Sequence, residues 1–300
     1  MKSSTTLRSE QKIKKTITIN TQSHLIKKTN QPLESETENS EHLDNIKTNF
    51  PMNKPTEILL ELYKKVNSLL FTSMEKDSLR KFIMSPLSKG QIMFTNINIL
   101  SNSYNEMELN CAINGNDFIL LTASIKKMFN YTNCAKIFIG GSKSEKIGKI
   151  VSNYLRNDFT FYSSPKETRQ LLGNIRYNIN PFGIKGPRKF TVLLPRLIDE
   201  EHVIYTNKIE GNAKFMDIYK NKDPVWSKEY REYKLDFNER VKLKSKKNFI
   251  MLDSMNDNEK IIQFGIIDKD TYALDFQFPI SVFQAFCIGI TSIIDKVSCE

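Results

Sequence analysis

The sequence predicts a mainly β fold of the α+β class, in which many short strands surround one buried helix near the C-terminus. Short β-branched and aromatic segments separated by Asn, Gly and Ser recur from residue 91 onward, which is typical of a β-sandwich or a β-barrel. The stretch 279–297 is apolar on nearly every side, so protein or lipid must enclose it. It is shorter than the roughly 20 apolar residues of a membrane-spanning helix, and we therefore expect β structure around it.

The front of the chain differs in composition from the rest. Residues 1–54 are dominated by Ser, Thr, Asn, Gln, Lys and Glu, which predicts a disordered polar extension. This segment lacks the apolar core of a secretory signal. We therefore expect a cytoplasmic protein that is soluble or peripherally attached to a membrane.

Residues 55–84 predict an amphipathic helical segment. Pro55 and Thr56 open a helix whose apolar residues repeat at helical spacing as far as Leu70, and a second helical piece covers about 75–83. Two roles are open for this segment. It can pack against the outside of the β domain, or it can dock onto a protein partner.

The remaining elements follow in chain order. We predict strands at residues 91–99, 118–123, 136–139, 148–153, 159–162, 190–194, 233–237, 249–252, 261–264 and 272–276. Pro279 is predicted to mark the start of the C-terminal helix, because its missing N–H would have no partner in the first turn anyway.

Composition narrows the functional classes. The net charge of +10 permits an anionic partner, either a membrane surface or nucleic acid, although Lys is abundant throughout the chain. The four cysteines lack metal-ligand spacing, so we expect reduced thiols, no metal and no other cofactor. No nucleophile elbow, P-loop or dinucleotide fingerprint occurs in the sequence. His202 stands beside carboxylates in a polar stretch and is interpreted as solvated surface, so we expect no catalytic residues and no enzymatic activity.

Several motifs in a fixed order resemble the tubby-like proteins. The segment 278–286 reads Phe-Pro-x-x-x-x-Gln-Ala-Phe and precedes a terminal Ser-Cys-Glu, which resembles the C-terminal signature of that family. Five further motifs lie upstream in family order, at 178–195, 221–226, 233–241, 247–249 and 262–265. The resemblance covers residues 85–300, which we interpret as the family's C-terminal domain. It implies a closed antiparallel β-barrel of about twelve strands around the C-terminal helix, expected to be monomeric and to carry any binding site on its outer surface.

The resemblance also implies a binding site for phosphatidylinositol 4,5-bisphosphate. The family pocket is built on a strand reading Gly-Lys-x-Arg-Ser-Asn, which matches 148–153 here. Lys149 retains the lysine, whereas Val151 replaces the arginine and removes a planar guanidinium that binds phosphate in a bidentate manner. A further family arginine aligns with Arg169.

Other site contacts follow less directly from the resemblance. An asparagine of the family pocket falls on Asn133 or on Ala135. Lys143 and Lys146 lie in a shortened loop and could supply replacement charge for the missing arginine. The predicted phosphoinositide-binding residues are therefore Lys149, Arg169, Lys146 and Lys143.

The leading hypothesis is a non-enzymatic peripheral membrane adaptor at the plasma or ciliary membrane. The barrel would bind a phosphoinositide headgroup, and the N-terminal region would hold a trafficking complex or a cargo protein for delivery to the cilium. The alternatives are a nuclear member that binds nucleic acid or regulates transcription, and a scaffold that has lost lipid binding. Against nucleic acid, the sequence shows no stacking platform of aromatic and basic residues, no helix-turn-helix pattern and no zinc finger.

Overall fold

The computed structural model describes residues 76–127, 134–164, 169–179, 188–199, 215–237, 239–253 and 259–296. The predicted disordered extension, the helix expected from Pro55 to Leu70 and His202 lie outside the described residues. The second predicted helical piece is present as α1 (Lys76–Met84), which buries Leu79 and Ile83.

Twelve strands form one closed antiparallel barrel, which confirms the predicted fold class. Around the barrel the order is β1-β14-β13-β12-β9-β8-β7-β6-β5-β4-β3-β2, while β10 and β11 form a separate two-stranded ribbon. The strands are β1 (Ile92–Asn102), β2 (Glu106–Ile113), β3 (Ile119–Lys126), β4 (Ala135–Ile139), β5 (Lys146–Ser152), β6 (Asp158–Ser163), β7 (Leu171–Tyr177), β8 (Phe190–Pro195), β9 (Met216–Asn221), β10 (Val225–Ser227), β11 (Glu232–Lys234), β12 (Phe249–Asp253), β13 (Lys260–Asp268) and β14 (Thr271–Gln277).

The C-terminal helix α2 (Val282–Ile293) lies inside the barrel. Eleven of its twelve residues are buried, as the apolar sequence predicts. The helix contacts strands on opposite walls: the Phe283 side chain packs against Gly148 of β5, while the Phe264 side chain of β13 packs close to Gly289. The helix therefore fills the lumen and leaves the outer surface for binding.

The start of α2 differs from the prediction. Pro279 lies before the helix, and the N-cap is Ser281. The Ser281 hydroxyl accepts a hydrogen bond from the Gln284 N–H at 3.2 Å, and the Gln284 side chain accepts one from the Ser281 N–H at 3.0 Å. This reciprocal capping box satisfies two amide groups that the first turn leaves without helical partners, which a proline ring cannot do.

Three cations satisfy the carbonyl groups at the other end of α2. Arg188 donates to Ser292 O at 3.1 Å, and Lys247 donates to Ile293 O at 3.1 Å. Lys296 donates to Thr291 O at 2.6 Å, and its ammonium lies 4.1 Å from the centre of the Tyr177 ring. Positive charge at a helix C-terminus opposes the helix dipole. These residues therefore stabilise the central helix.

The chain between β9 and β12 crosses the outside of the barrel, and we call residues 224–248 the outer segment. Arg240 anchors it through a bidentate ion pair with the buried Asp275 carboxylate, at 2.7 and 2.9 Å. A Cβ at Gly265 of β13 would lie 2.5 Å from Val241 Cγ1, so the close packing of the segment requires glycine there. The prediction of a barrel strand at 233–237 is wrong. The first two of these residues belong to β11 of the ribbon, and the others follow it in the chain.

The described cysteines Cys111, Cys134 and Cys287 are buried and unbridged. Burial raises the pKa of the Cys134 thiol to about 11, so this group packs as a small apolar side chain. No group of three or more potential metal-ligating side chains occurs among the described residues. Neither α1 nor α2 is long and apolar enough to cross a bilayer.

Candidate functional site

A row of side chains crosses the outer face of three neighbouring strands. Lys136 of β4 is the direct cross-strand neighbour of Lys149 of β5, and Lys149 is in turn the neighbour of Tyr162 of β6. The residues flanking each of them along the strand are buried, so alternation directs these three side chains outward. The structure thus brings together two cations and an aromatic ring that are separated in sequence.

The glycine that precedes Lys149 explains the local path of β5. A Cβ at Gly148 would lie 2.4 Å from Cζ of Phe283 in the central helix and 2.7 Å from the carbonyl oxygen of Tyr162. Real Cβ atoms essentially never make contacts this short, so only glycine allows the strand to approach the helix this closely. Gly148 therefore contacts the central helix inside the barrel, while the next residue, Lys149, places its charge on the outer face.

Arg169 joins this row from the connection between β6 and β7. Its guanidinium carbon lies 4.9 Å from the centre of the Tyr162 ring, within the range of a cation–π contact. The next residue is fixed to β6, because the Gln170 N–H donates to the Ser163 hydroxyl at 2.8 Å. Tyr162 therefore lies between Lys149 and Arg169 and contributes to holding the guanidinium over the sheet.

Val151 lies on the same face as Lys149. Its neighbours Ile150 and Ser152 are buried, and its cross-strand partner on β6 is Thr160. Residues two apart on a strand are about 6.4–6.8 Å apart. An arginine at position 151 would therefore extend the same cationic row, whereas valine leaves an apolar side chain there.

The two predicted loop lysines occupy different environments. Lys143 forms an ion pair with Glu108 of β2, with 2.6 Å between Nζ and Oε2. Lys146 begins β5, is exposed and lies opposite Phe138 of β4. The charge of Lys143 is thus compensated by a carboxylate, while Lys146 lies on the strand that carries Lys149.

The family asparagine contact is not provided by Ala135. This side chain is 1% exposed and faces the barrel interior, so it cannot contact a ligand on the outer surface. Asn133 lies outside the described residues.

The acidic residues around the row are paired with other groups. Glu106 accepts a hydrogen bond from Ser124 and pairs with Lys126 at 3.1 Å, and these contacts lower the pKa of its carboxyl group. Glu145 pairs with Arg80 of α1. Together with the Glu108 pair, this leaves the local potential of the row dominated by its cations.

Lys136 is a candidate site residue that the sequence interpretation missed. It stands in a correctly predicted strand, but only the antiparallel register places it beside Lys149. The matched family motif lies on β5, so it gave no reason to select a lysine of β4. The remaining site residues, Lys149, Arg169, Lys146 and Lys143, stay predictions as ligand contacts.

A second cationic surface lies along the outer segment. Trp226, Tyr230 and Tyr233 are each about half exposed, at 49%, 57% and 50%, and they line one groove with several lysines and arginines. The sequence interpretation did not identify this combined aromatic and basic surface. The groove residues are distributed from Arg188 to Asn248, and only the fold brings them together.

Comparison with known proteins identifies one family and several relatives with similar sequences. The profile of the Tub family matches residues 116–295. Tubby protein homolog 1 of Caenorhabditis briggsae is 33% identical over 177 residues, covering 51% of this chain and 42% of the relative. Protein king tubby 2 of Aedes aegypti is 32% identical over 170 residues with the same coverage. Protein king tubby of Drosophila pseudoobscura pseudoobscura is 31% identical over 192 residues, covering 58% of this chain and 42% of the relative. The matched chain thus spans less than half the length of these relatives.

Proposed function

This chain belongs to the Tub family, and from that membership we propose that it is a non-enzymatic membrane adaptor. Its barrel binds a phosphoinositide headgroup of the phosphatidylinositol 4,5-bisphosphate type. The binding surface is the outer row formed by Lys136, Lys149, Tyr162 and Arg169, with Lys146 at its edge. The observation that supports the proposal is that Lys149 is the cross-strand neighbour of Tyr162 and Arg169 lies over the ring of the same tyrosine, because these are the cations that match the family pocket.

The geometry of the row suits a phosphorylated headgroup. Neighbouring strands lie about 4.8 Å apart, so Lys136 and Lys149 can donate to phosphate groups of a single headgroup. The Arg169 guanidinium offers a planar fork that matches two phosphate oxygens. Each charge-assisted hydrogen bond contributes about 1.5–3 kcal/mol when well formed.

Valine at position 151, in place of the family arginine, lowers the expected affinity for the headgroup. A missing guanidinium contact costs roughly 10- to 100-fold in affinity at about 1.4 kcal/mol per factor of ten. The pocket is therefore a weakened phosphoinositide site, and Lys136 and Lys146 supply part of the missing charge.

The adaptor role requires a second partner. We propose that the region ahead of the barrel holds a trafficking complex or a cargo protein while the barrel binds the cytosolic face of the plasma or ciliary membrane. In a ciliated cell this arrangement would deliver membrane proteins to the cilium. This part of the proposal rests on family membership alone.

The test is vesicle co-sedimentation of the full chain. Phosphatidylcholine vesicles would contain phosphatidylinositol 4,5-bisphosphate, a monophosphorylated phosphoinositide or phosphatidylserine, adjusted to equal total charge. We expect preferential binding to the bisphosphorylated vesicles and a loss of at least tenfold in Lys149→Ala/Arg169→Ala. The matched control is Lys228→Ala/Lys269→Ala, which removes two exposed cations elsewhere on the surface.

Two results would overturn the proposal. One is binding that follows only total vesicle charge and disappears at moderate salt, as expected of diffuse electrostatics. The other is an equal loss of binding in the test and control variants. Either result would leave the barrel as a scaffold without an inherited lipid site.

A further inference from the structure

The groove along the outer segment lies on the side of the barrel opposite the proposed lipid site. In the closed barrel β13 is six strands away from β5 in either direction. The outer segment crosses β13, where the Lys242 N–H donates to Ile266 O at 2.9 Å and Gln263 donates to Phe237 O at 3.0 Å. The outer segment at β13 therefore faces away from a planar membrane that contacts β5. A ligand of the groove can approach from the aqueous side.

The charge of the groove is strongly positive. Seven of its lining residues are Lys or Arg, and the single acidic one is Glu232. The Glu232 carboxylate pairs with Lys244 at 2.6 Å, so it compensates one of these cations. The groove has a volume of about 1340 Å³, which is large enough for an extended chain segment. Its lining cations favour a negatively charged ligand.

The groove also presents apolar surface that the fold itself leaves uncovered. The rings of Trp226 and Tyr233 meet edge to face, with centroids 5.0 Å apart, and both are about half exposed. Val225 on the same ribbon is 69% exposed. Trp, Tyr and Arg dominate the binding energy of protein interfaces, since they bury large areas and still make polar contacts.

The surface is held in place before any ligand binds. The buried Asp275 carboxylate anchors Arg240, and Arg240 also donates to Thr95 O at 3.0 Å. Asn248 donates from its side chain to Leu243 O at 2.8 Å and closes the end of the segment. A surface ordered in advance loses less conformational entropy when a ligand binds.

We propose that this groove binds an acidic, extended segment of a protein partner. The ribbon favours an extended peptide, because each of its strands pairs only with the other among the described residues and so has an outer edge for a further strand. The rings do not favour nucleic acid. Trp226 and Tyr233 lie edge to face, and the Lys234 ammonium lies 3.2 Å from the centre of the Tyr230 ring, so parallel open faces for successive bases are lacking.

The tryptophan of the groove provides a fluorescence signal for the test. Trp226 is the only tryptophan of the 300-residue chain, so its fluorescence reports on this surface alone. The full chain would be titrated with a ten-residue peptide of alternating Glu and Val, with its Lys and Val counterpart as the charge-reversed control. We expect a saturable change in emission with the acidic peptide and none with the basic one.

Variants connect the signal to the groove. Lys234→Ala/Lys242→Ala should weaken binding of the acidic peptide about tenfold, since it removes two lining cations. Lys228→Ala is the matched control, because Lys228 is exposed on the same ribbon turn but does not line the groove. Lys149→Ala/Arg169→Ala should leave peptide binding unchanged, so the result is independent of lipid binding. Thermal unfolding of each variant confirms that it is folded.

Three outcomes would overturn the inference. The first is no saturable emission change with the acidic peptide at low salt. The second is an equal weakening by Lys228→Ala. The third is displacement of the peptide by a ten-residue oligothymidylate at lower concentration, with the same dependence on Lys234 and Lys242. That last result would assign the groove to single-stranded nucleic acid instead.

Discussion

Restoring a guanidinium at position 151 is the most direct perturbation of the proposed lipid site. Val151 points outward on β5, two residues beyond Lys149 and opposite Thr160, so an arginine there can reach solvent without entering the core. It would add one bidentate phosphate contact worth about 1.5–3 kcal/mol. The expected gain in affinity for bisphosphorylated vesicles is therefore roughly 10- to 100-fold.

The assay is co-sedimentation of the full-chain Val151→Arg protein over a range of lipid concentrations. Val225→Arg is the matched control, because it introduces the same residue at an exposed valine of the ribbon. Val151→Lys separates charge from geometry, since an ammonium cannot make the forked contact. The reasoning is refuted if Val151→Arg gains no more than Val225→Arg, or if its gain is equally large on phosphatidylserine vesicles.

Two further predictions concern stability. Gly148→Ala should destabilise the barrel by about 1–3 kcal/mol, because its Cβ would overlap Phe283. Urea unfolding measures this loss of stability. The control Gly141→Ala should destabilise clearly less, because its Cβ would meet mainly the end of the flexible Ile119 side chain. Burial raises the pKa of Asp275 to about 6, above its ordinary 3.8, although Arg240 opposes the shift. The folded state therefore holds this proton more tightly, so the contribution of Asp275 to stability rises by about 2 kcal/mol as pH falls from 7 to 4. The difference in unfolding free energy between wild type and Asp275→Asn should follow this change, and pH-independent differences would contradict it.

The central helix was predictable because apolar residues on all sides leave only one kind of environment for it. Strand β2 was not predicted, because its sequence lacks such a clear apolar pattern. Its Glu106 and Glu108 face outward and interrupt the apolar pattern, so the segment does not resemble a strand in sequence. The stretch 233–237 has the alternation of a strand, but that alternation is equally compatible with a short ribbon lying outside the barrel.

The candidate site was predictable only along single strands. Lys149 and Arg169 were identified because a motif and a gapless count placed them, whereas Lys136 required the pairing of β4 with β5. The register of a sheet depends on turn geometry and side-chain packing across strands. The groove was missed for the same reason, since its residues converge only when the outer segment is anchored by Arg240.

The position of the helix has a consequence for how the protein is made. Val282–Ile293 follows all fourteen of the described strands in chain order, yet it supplies the centre around which twelve of them close. During synthesis the strands leave the ribosome before their core exists, with their inward apolar faces unpaired. The barrel can therefore close only after translation has passed residue 293, and until then we expect the nascent chain to depend on chaperones.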